Sequence, residues 1–437
     1  IKMLKRFSKY VFQSVAGMIG ISVYVLADTF FISVYAGADG LAVLNLILPV
    51  YGVIYAIGSM IGIGSATRYG INRAKGENVD CYFLQSVGWS ILCSIPFVLL
   101  GVFVPGKVLA LLGADAGLVA LGKTYIRIIL MGAPFFMCNY TVTAFARNDN
   151  APSVAMAGSI SGSIFNIVFD YVFIFPVGLG FSGAALATAL CPLVTMSVCD
   201  THYLGKKCHI GFRWKKLSPK HLISCCQLGV SAFVGEISSA VIALVFNYLI
   251  LGITGSIGVA AYGIVANMSI VGMCIFNGMA QGVQPLISEC YGKGQSDYVK
   301  KLLRWGLNSV VVVEVAMVAL VWGFTDVFVA VFNSENNPLL LEYAHSGLQL
   351  YFLGFLFAGV NIMLVAYFSA TGNARPAIIG SLMRGAVAIV ICAVVLSVLM
   401  GMNGVWLSFL ASEILTFVVI LLLSKKKKPI KTKAFLN

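Results

Sequence analysis

Five carboxylates stand inside apolar runs of this chain. Asp28 lies in YVLADTFF, Asp170 in FNIVFDYVF and Glu236 in FVGEISS, with Glu314 and Glu413 further along. An ionisable group held in hydrocarbon is costly, and it marks an ion path, a proton relay or a substrate contact. Asn166 precedes Asp170 by four residues and Tyr24 precedes Asp28 by four, so each pair shares a helical face. Thr188, in ALATAL, adds a hydroxyl. Two carboxylates, an amide oxygen and a hydroxyl make an oxygen-rich site suited to a hard cation such as Na⁺. The same set suits a proton, because two close carboxylates in a low dielectric do not both ionise easily. The competing use of Asp28 and Asp170 is a structural one, bridging helices through hydrogen bonds. Thr188 is as well placed for packing between helices as for binding an ion. Glu236 is expected to be functional. Tyr24, Asn139, Gln281 and Gln284 are candidates for lining a substrate cavity, and hydrogen bonding between helices is the alternative for the three amides. Glu314 and Glu413 have no obvious partners and carry no expected role. Apart from Na⁺ at Asp28, Asn166, Asp170 and Thr188, no metal is expected, and no cofactor.

These residues must be positioned by a membrane-spanning scaffold. The chain has 437 residues, 59% of them hydrophobic and 10% charged. A soluble domain carries about 25% charged residues, so a soluble enzyme or binding module is excluded. Apolar runs near 9–35, 44–70, 81–104, 118–146, 152–176, 181–204, 221–250, 258–289, 298–324, 340–371, 375–400 and 403–424 are each long enough to cross a bilayer. Runs of this length are helices and not barrel strands, which predicts an all-α polytopic protein with twelve transmembrane helices. Of the 29 Lys and Arg residues, Lys107, Lys123 and Arg127 lie beside the turn between the third and fourth spans. The other 26 gather at the termini and at the opposite ends of the spans. The positive-inside rule then places both termini in the cytoplasm of a multi-pass protein of the plasma (inner) membrane. The basic tail KKKKPIKTK reads as a lipid-headgroup anchor and not as a nucleic-acid arm. The bilayer is thus the expected large partner of a chain read as a monomer. The long basic N-terminal span has no small-residue cleavage site after it, so no cleaved leader is expected.

The chain also repeats itself. GADGLAV at 37–43 aligns with GSIGVAA at 255–261, and GFSGAALA at 180–187 with GMNGVWLS at 401–408. NDNAPSVA resembles TGNARPAI. An even number of spans per half makes the repeat parallel, which predicts lobes at 1–214 and 215–437 with a cavity between them.

Other motifs lead elsewhere and are set aside. GLVALGKT at 117–124 has the spacing of a phosphate loop, but no strand signal precedes it and its four intervening residues are apolar. Asp115 before it reads as a helix N-cap, and Lys123 as an interfacial anchor. The eleven cysteines form no C-x-x-C pair and read as small buried hydrophobes. Cys199, His202, Cys208 and His209 have metal-ligand residue types, but Lys206 and Lys207 between them suit an interfacial loop. The motifs G-x-G-D, H-E-x-x-H and G-x-S-x-G are absent, so an intramembrane enzyme is not expected.

Taken in order and spacing, these pieces resemble the multidrug and toxic compound extrusion (MATE) transporters along nearly the whole chain. LADTFFISVYAGADGLAVL, RNDNAPSVA, FNIVFDYVFIF, GFSGAALATAL, AAYGIVANM, QGVQPLISECYGKG and ATGNARPAI carry the resemblance. It implies two pseudo-twofold-related six-helix lobes in a V shape, and export of organic cations against an inward Na⁺ or H⁺ gradient. It implies further that Asp28, Asn166, Asp170 and Thr188 form the N-lobe cation site and that Glu236 is the family's glutamate of span 7. Two departures stand out. Gln13 occupies the position of an early span 1 Pro, so any bend there must come from elsewhere, such as Gly17 or Gly20. Phe357 and Asn361 stand where some members carry a Tyr and an Asp for a C-lobe ion site, which leaves Glu236 as a substrate contact. A lipid-linked saccharide flippase of the same superfamily is the alternative, but its diphosphate would need cationic groups. Of the basic residues, only Arg127 and Arg384 approach the membrane interior.

Overall fold

The computed structural model describes residues 2–332 and 337–425, and all the elements in it are helices. Spans 1 to 3 are Lys2–Gly37, Asp39–Ala74 and Tyr82–Phe103. Span 4 is a pair, Ala116–Met131 and Ala133–Asn148, bent by 42°. Spans 5 to 9 are Pro152–Ile174, Phe181–Tyr203, Pro219–Gly255, Ile257–Gly292 and Ser296–Gly323. Span 10 is again a bent pair, Pro338–Phe352 and Phe355–Ala370, also at 42°. The last helical stretch, Ala374–Ser424, has 51 residues, more than twice what a bilayer needs. It breaks at Gly401, giving spans 11 and 12 and completing twelve. The stretch KKKKPIKTK begins at Lys425, and residues 426–437 lie outside the described residues.

The sequence repeat has a physical cause at each of its landmarks. Gly37, Gly180, Gly255 and Gly401 open the four aligned motifs, and all four take φ between 56° and 69° with ψ between −157° and −135°. That region of backbone space is essentially closed to side chains. Gly37, Gly255 and Gly401 therefore end one span and let the next begin at once, while Gly180 opens span 6 after a short connection. Short helices lie between spans 3 and 4 (Pro105–Leu111) and between spans 9 and 10 (Thr325–Phe332). The 42° bends recur in spans 4 and 10. Gly37→Ala is expected to lose about 1–3 kcal/mol of stability. The control, Gly52→Ala, has helical backbone and open space around its Cα, and should gain about 0.5–1 kcal/mol. Thermal unfolding in detergent compares them, and equal effects would mean that Gly37 does not hold this turn.

Packing divides the molecule in two. One apolar core is built mainly from spans 7 to 12, with Phe7 and Tyr10 at the start of span 1 joining it, and Trp406, Phe276, Phe352 and Phe355 are fully buried in it. Two others are built from spans 1 to 6 around Tyr125 and Phe145. The lobes touch mainly at the end that carries the N-terminus. There Arg6 pairs with Glu289 at 2.6 Å, Gln284 Nε2 donates to Thr67 Oγ1 at 2.9 Å, and Arg68 Nη2 donates to the Ser224 carbonyl at 2.7 Å. Towards the other end, Gly235, Gly252 and Gly263 of the second lobe have no neighbour within 4 Å of an added Cβ. The V therefore closes at the basic end and opens at the glycine-turn end.

Span 1 is helical without interruption up to Gly37, so neither Gly17 nor Gly20 breaks it in this conformation. Both glycines serve close packing instead, against Ser159 and Ser163 of span 5. The phosphate-loop spacing also resolves. Residues 117–124 are the first turns of span 4, and Asp115 Oδ1 caps that helix by accepting from Leu118 N at 2.8 Å. An α-helix there leaves no nest of free N–H groups for a phosphate.

Candidate functional site

Spans 1, 5 and 6 meet inside the N-terminal lobe because small residues line their contacts. An added Cβ on Gly162 of span 5 would strike Thr195 of span 6, so the two backbones can approach closely only with glycine there. This approach brings Asp28, Asn166, Asp170 and Thr188 together. Asp28 is 8% exposed, Asn166 and Asp170 are fully buried, and Thr188 is 5% exposed. Asn166 Nδ2 donates to Thr188 Oγ1 at 3.2 Å. The carboxyl groups of Asp28 and Asp170 face each other. Among the described residues no donor reaches Asp28 Oδ1, Asn166 Oδ1 or either carboxyl oxygen of Asp170. Buried polar atoms are otherwise almost always paired, so four such oxygens in one place call for an electropositive partner. A shared proton or a bare monovalent cation meets that demand.

Other predicted residues fall into two groups. Glu236 of span 7 accepts from Tyr140 Oη of span 4 at 3.1 Å, so it bridges the lobes part-way up the cleft. Tyr55 packs against Tyr140 with ring centroids 6.0 Å apart, and Tyr24 faces Tyr55. Tyr51 and Phe136 continue this aromatic wall. Tyr51, Tyr55 and Tyr140 were not among the predicted residues. The four-residue spacing of Tyr51 and Tyr55 in VYGVIYAIG, one face of span 2, was the available signal. Gln281 and Gln284 instead line a small pocket at the closed end with Thr67, Arg147 and Asn148. Asn139 is half-buried, and among the described residues its side-chain oxygen has no hydrogen-bond partner.

The expectation that Glu314 and Glu413 lack partners is overturned. Glu413 is fully buried and accepts from Arg384 Nε at 2.8 Å and from Asn361 Nδ2 at 2.7 Å. Glu314, also buried, accepts from the Val360 backbone N–H at 2.9 Å. Arg384 sits in a single π-helical turn, Met383–Val387, which interrupts span 11. Such a turn carries one extra residue and re-aims the side chains around it. Pairs 29 and 52 residues apart on different spans leave no local trace in a sequence.

A MatE family profile matches residues 14–172 and 232–395. The multidrug export protein MepA of Staphylococcus saprophyticus is 25% identical over 397 residues, covering 90% of this chain and 86% of its own. MepA of Staphylococcus aureus is 26% identical over 401 residues, with the same coverage. A solved structure described as the outward-facing conformation of a multidrug resistance MATE family transporter superposes with a TM-score of 0.89 at 21% identity, over 96% of this chain and 95% of that one. A MOP-superfamily transporter from Pyrococcus furiosus gives 0.88 at 22% identity, with the same coverage. At these identities the structural likeness speaks for the fold.

Proposed function

Because this multi-pass membrane chain belongs to the MatE family of transporters, whose relatives are multidrug export proteins, we propose that it is a cation-coupled exporter of organic cations. The observation that carries this reading is the Asp28–Asp170 carboxyl pair, buried with unpartnered oxygens beside Asn166 and Thr188. The pair takes up Na⁺ or H⁺ when the cleft is open at the glycine-turn end. The basic end, which holds the closed lobe contacts, faces the cytoplasm, and the membrane is the plasma (inner) membrane.

Export follows by alternating access. The ion and the drug favour different arrangements of the two lobes, and coupling is the difference in their affinities for those arrangements. Glu236 and the wall of Tyr24, Tyr51, Tyr55 and Tyr140 form the drug surface. A carboxylate among aromatic faces attracts a flat organic cation by charge and by cation–π contact, each such contact being worth about 0.5–2 kcal/mol. The flippase reading has less support, since Arg384 is already neutralised by Glu413 and Arg127 is exposed. The boundary between the lobes is placed near residue 214, and the unit is a monomer.

Everted vesicles carrying the protein test the reading. With ethidium as the probe, an imposed Na⁺ or H⁺ gradient should drive accumulation inside. Accumulation that needs ATP and ignores both gradients would overturn it.

A further inference from the structure

A second cluster lies at the closed end of the N-terminal lobe. Asp149, in the turn after span 4, is 1% exposed. Its Oδ1 is 2.6 Å from Arg73 Nη1 and 3.5 Å from His209 Nδ1. Its Oδ2 is 2.9 Å from His202 Nε2 and accepts from the His209 backbone N–H at 2.9 Å. The Cys208 thiol completes the group. One ligand atom each from Asp149, His202 and Cys208 lie within 4.8 Å of one another. His202 ends span 6, and Cys208 and His209 belong to the segment that leads from the first lobe to the second.

We propose that Asp149, His202 and Cys208 form a binding site for a divalent transition metal of the zinc class, with the fourth position open to His209 once its exposed ring swings in from the far carboxylate oxygen. The donor set is an oxygen, two imidazole nitrogens and a sulfur, which suits Zn²⁺ and not the hard cations of the membrane site. Zinc bonds of about 2.0–2.3 Å place tetrahedral donors roughly 3.3–3.8 Å apart, so the three grouped donors close by shifts of up to about 1.5 Å and His209 by a change of side-chain rotamer. Arg73 holds the remaining carboxylate oxygen, as an outer-shell partner does in established sites. The set differs from the one the sequence suggested, because buried Asp149 takes the place of Cys199 and no spacing rule links it to His202. A bound ion ties the connecting segment to the turn after span 4 and to the end of span 2.

The test uses full-length protein without an affinity tag, stripped with a chelator and titrated with Zn²⁺ against a chromophoric competitor. About one Zn²⁺ per chain is expected. Cys208→Ser and His202→Gln should each weaken binding by more than about tenfold, the lower bound seen even for outer-shell losses. Co²⁺ in the wild type should show a thiolate charge-transfer band that Cys208→Ser removes. Cys225→Ser is the control, because Cys225 Sγ lies 3.6 Å from His221 Nε2 in another His–Cys pair. Zn²⁺ should raise the unfolding temperature of the wild type and leave that of Cys208→Ser unchanged, and matching unfolding temperatures without metal would show that the variant folds. Absence of binding, undiminished affinity in Cys208→Ser, or loss confined to Cys225→Ser would each overturn the proposal.

Discussion

Asp28→Asn is expected to lose gradient-driven export while the protein is made and inserted in normal amount. The asparagine keeps the shape of the aspartate and supplies an N–H to the facing Asp170, so spans 1 and 5 stay packed. What it removes is one of the two charges that compete for a cation in a fully buried place. A single carboxylate with a neutral donor beside it no longer needs a proton or Na⁺, and its occupancy no longer distinguishes the states of the lobes. A coupling free energy of about 1–3 kcal/mol corresponds to a factor of roughly 5–150, and the loss of export should fall in that range. Accumulation of ethidium in everted vesicles, normalised to protein, measures it. Undiminished accumulation would remove Asp28 from the coupling path. Thr188→Val refines the result, since it deletes an oxygen ligand but no proton acceptor. Driven by Na⁺, the valine variant should fail. Driven by H⁺, it should persist.

Glu413→Leu is expected to destabilise the protein by up to about 3 kcal/mol, because it leaves the Arg384 guanidinium, 16% exposed, without its carboxylate. Arg384→Met alone should cost a similar amount. The double variant should recover most of the loss, since replacing a buried ion pair by apolar groups is often close to neutral. Asn361 does not spoil the comparison, because its Nδ2 also donates to the Glu413 main-chain carbonyl at 2.8 Å and keeps that bond. Thermal unfolding of the four proteins in detergent forms a double-mutant cycle. Additive losses would show that the two side chains do not support each other.

The readable part of this molecule was the part written as exceptions to an apolar background. Asp28, Asp170 and Glu236 stood out because charge is rare in the spans, and Asn166 because helical spacing set it beside Asp170. The repeat was readable because the glycine at each turn has no substitute of equal conformational freedom. Other features had no such mark. The bends in spans 4 and 10 occur inside unbroken apolar runs, at Gly132 and at Leu353–Gly354, among many glycines that bend nothing. The Glu413–Arg384 pair depends on the register of two spans and on a π-turn, neither of which has a periodic signature. Asp149 looked like an ordinary loop residue until the fold brought the end of span 6 to it.

The abrupt glycine turns bear on how the molecule can be approached by other macromolecules. Where Gly37, Gly255 and Gly401 join two spans, almost no chain is left over to protrude. A protease needs a pliable strand to grip, and at these three corners that face of the protein offers none. The opposite face has the long connecting segment between the lobes. Cleavage mapping from the open side should therefore spare these corners and fall instead in the exposed connections before spans 4 and 6.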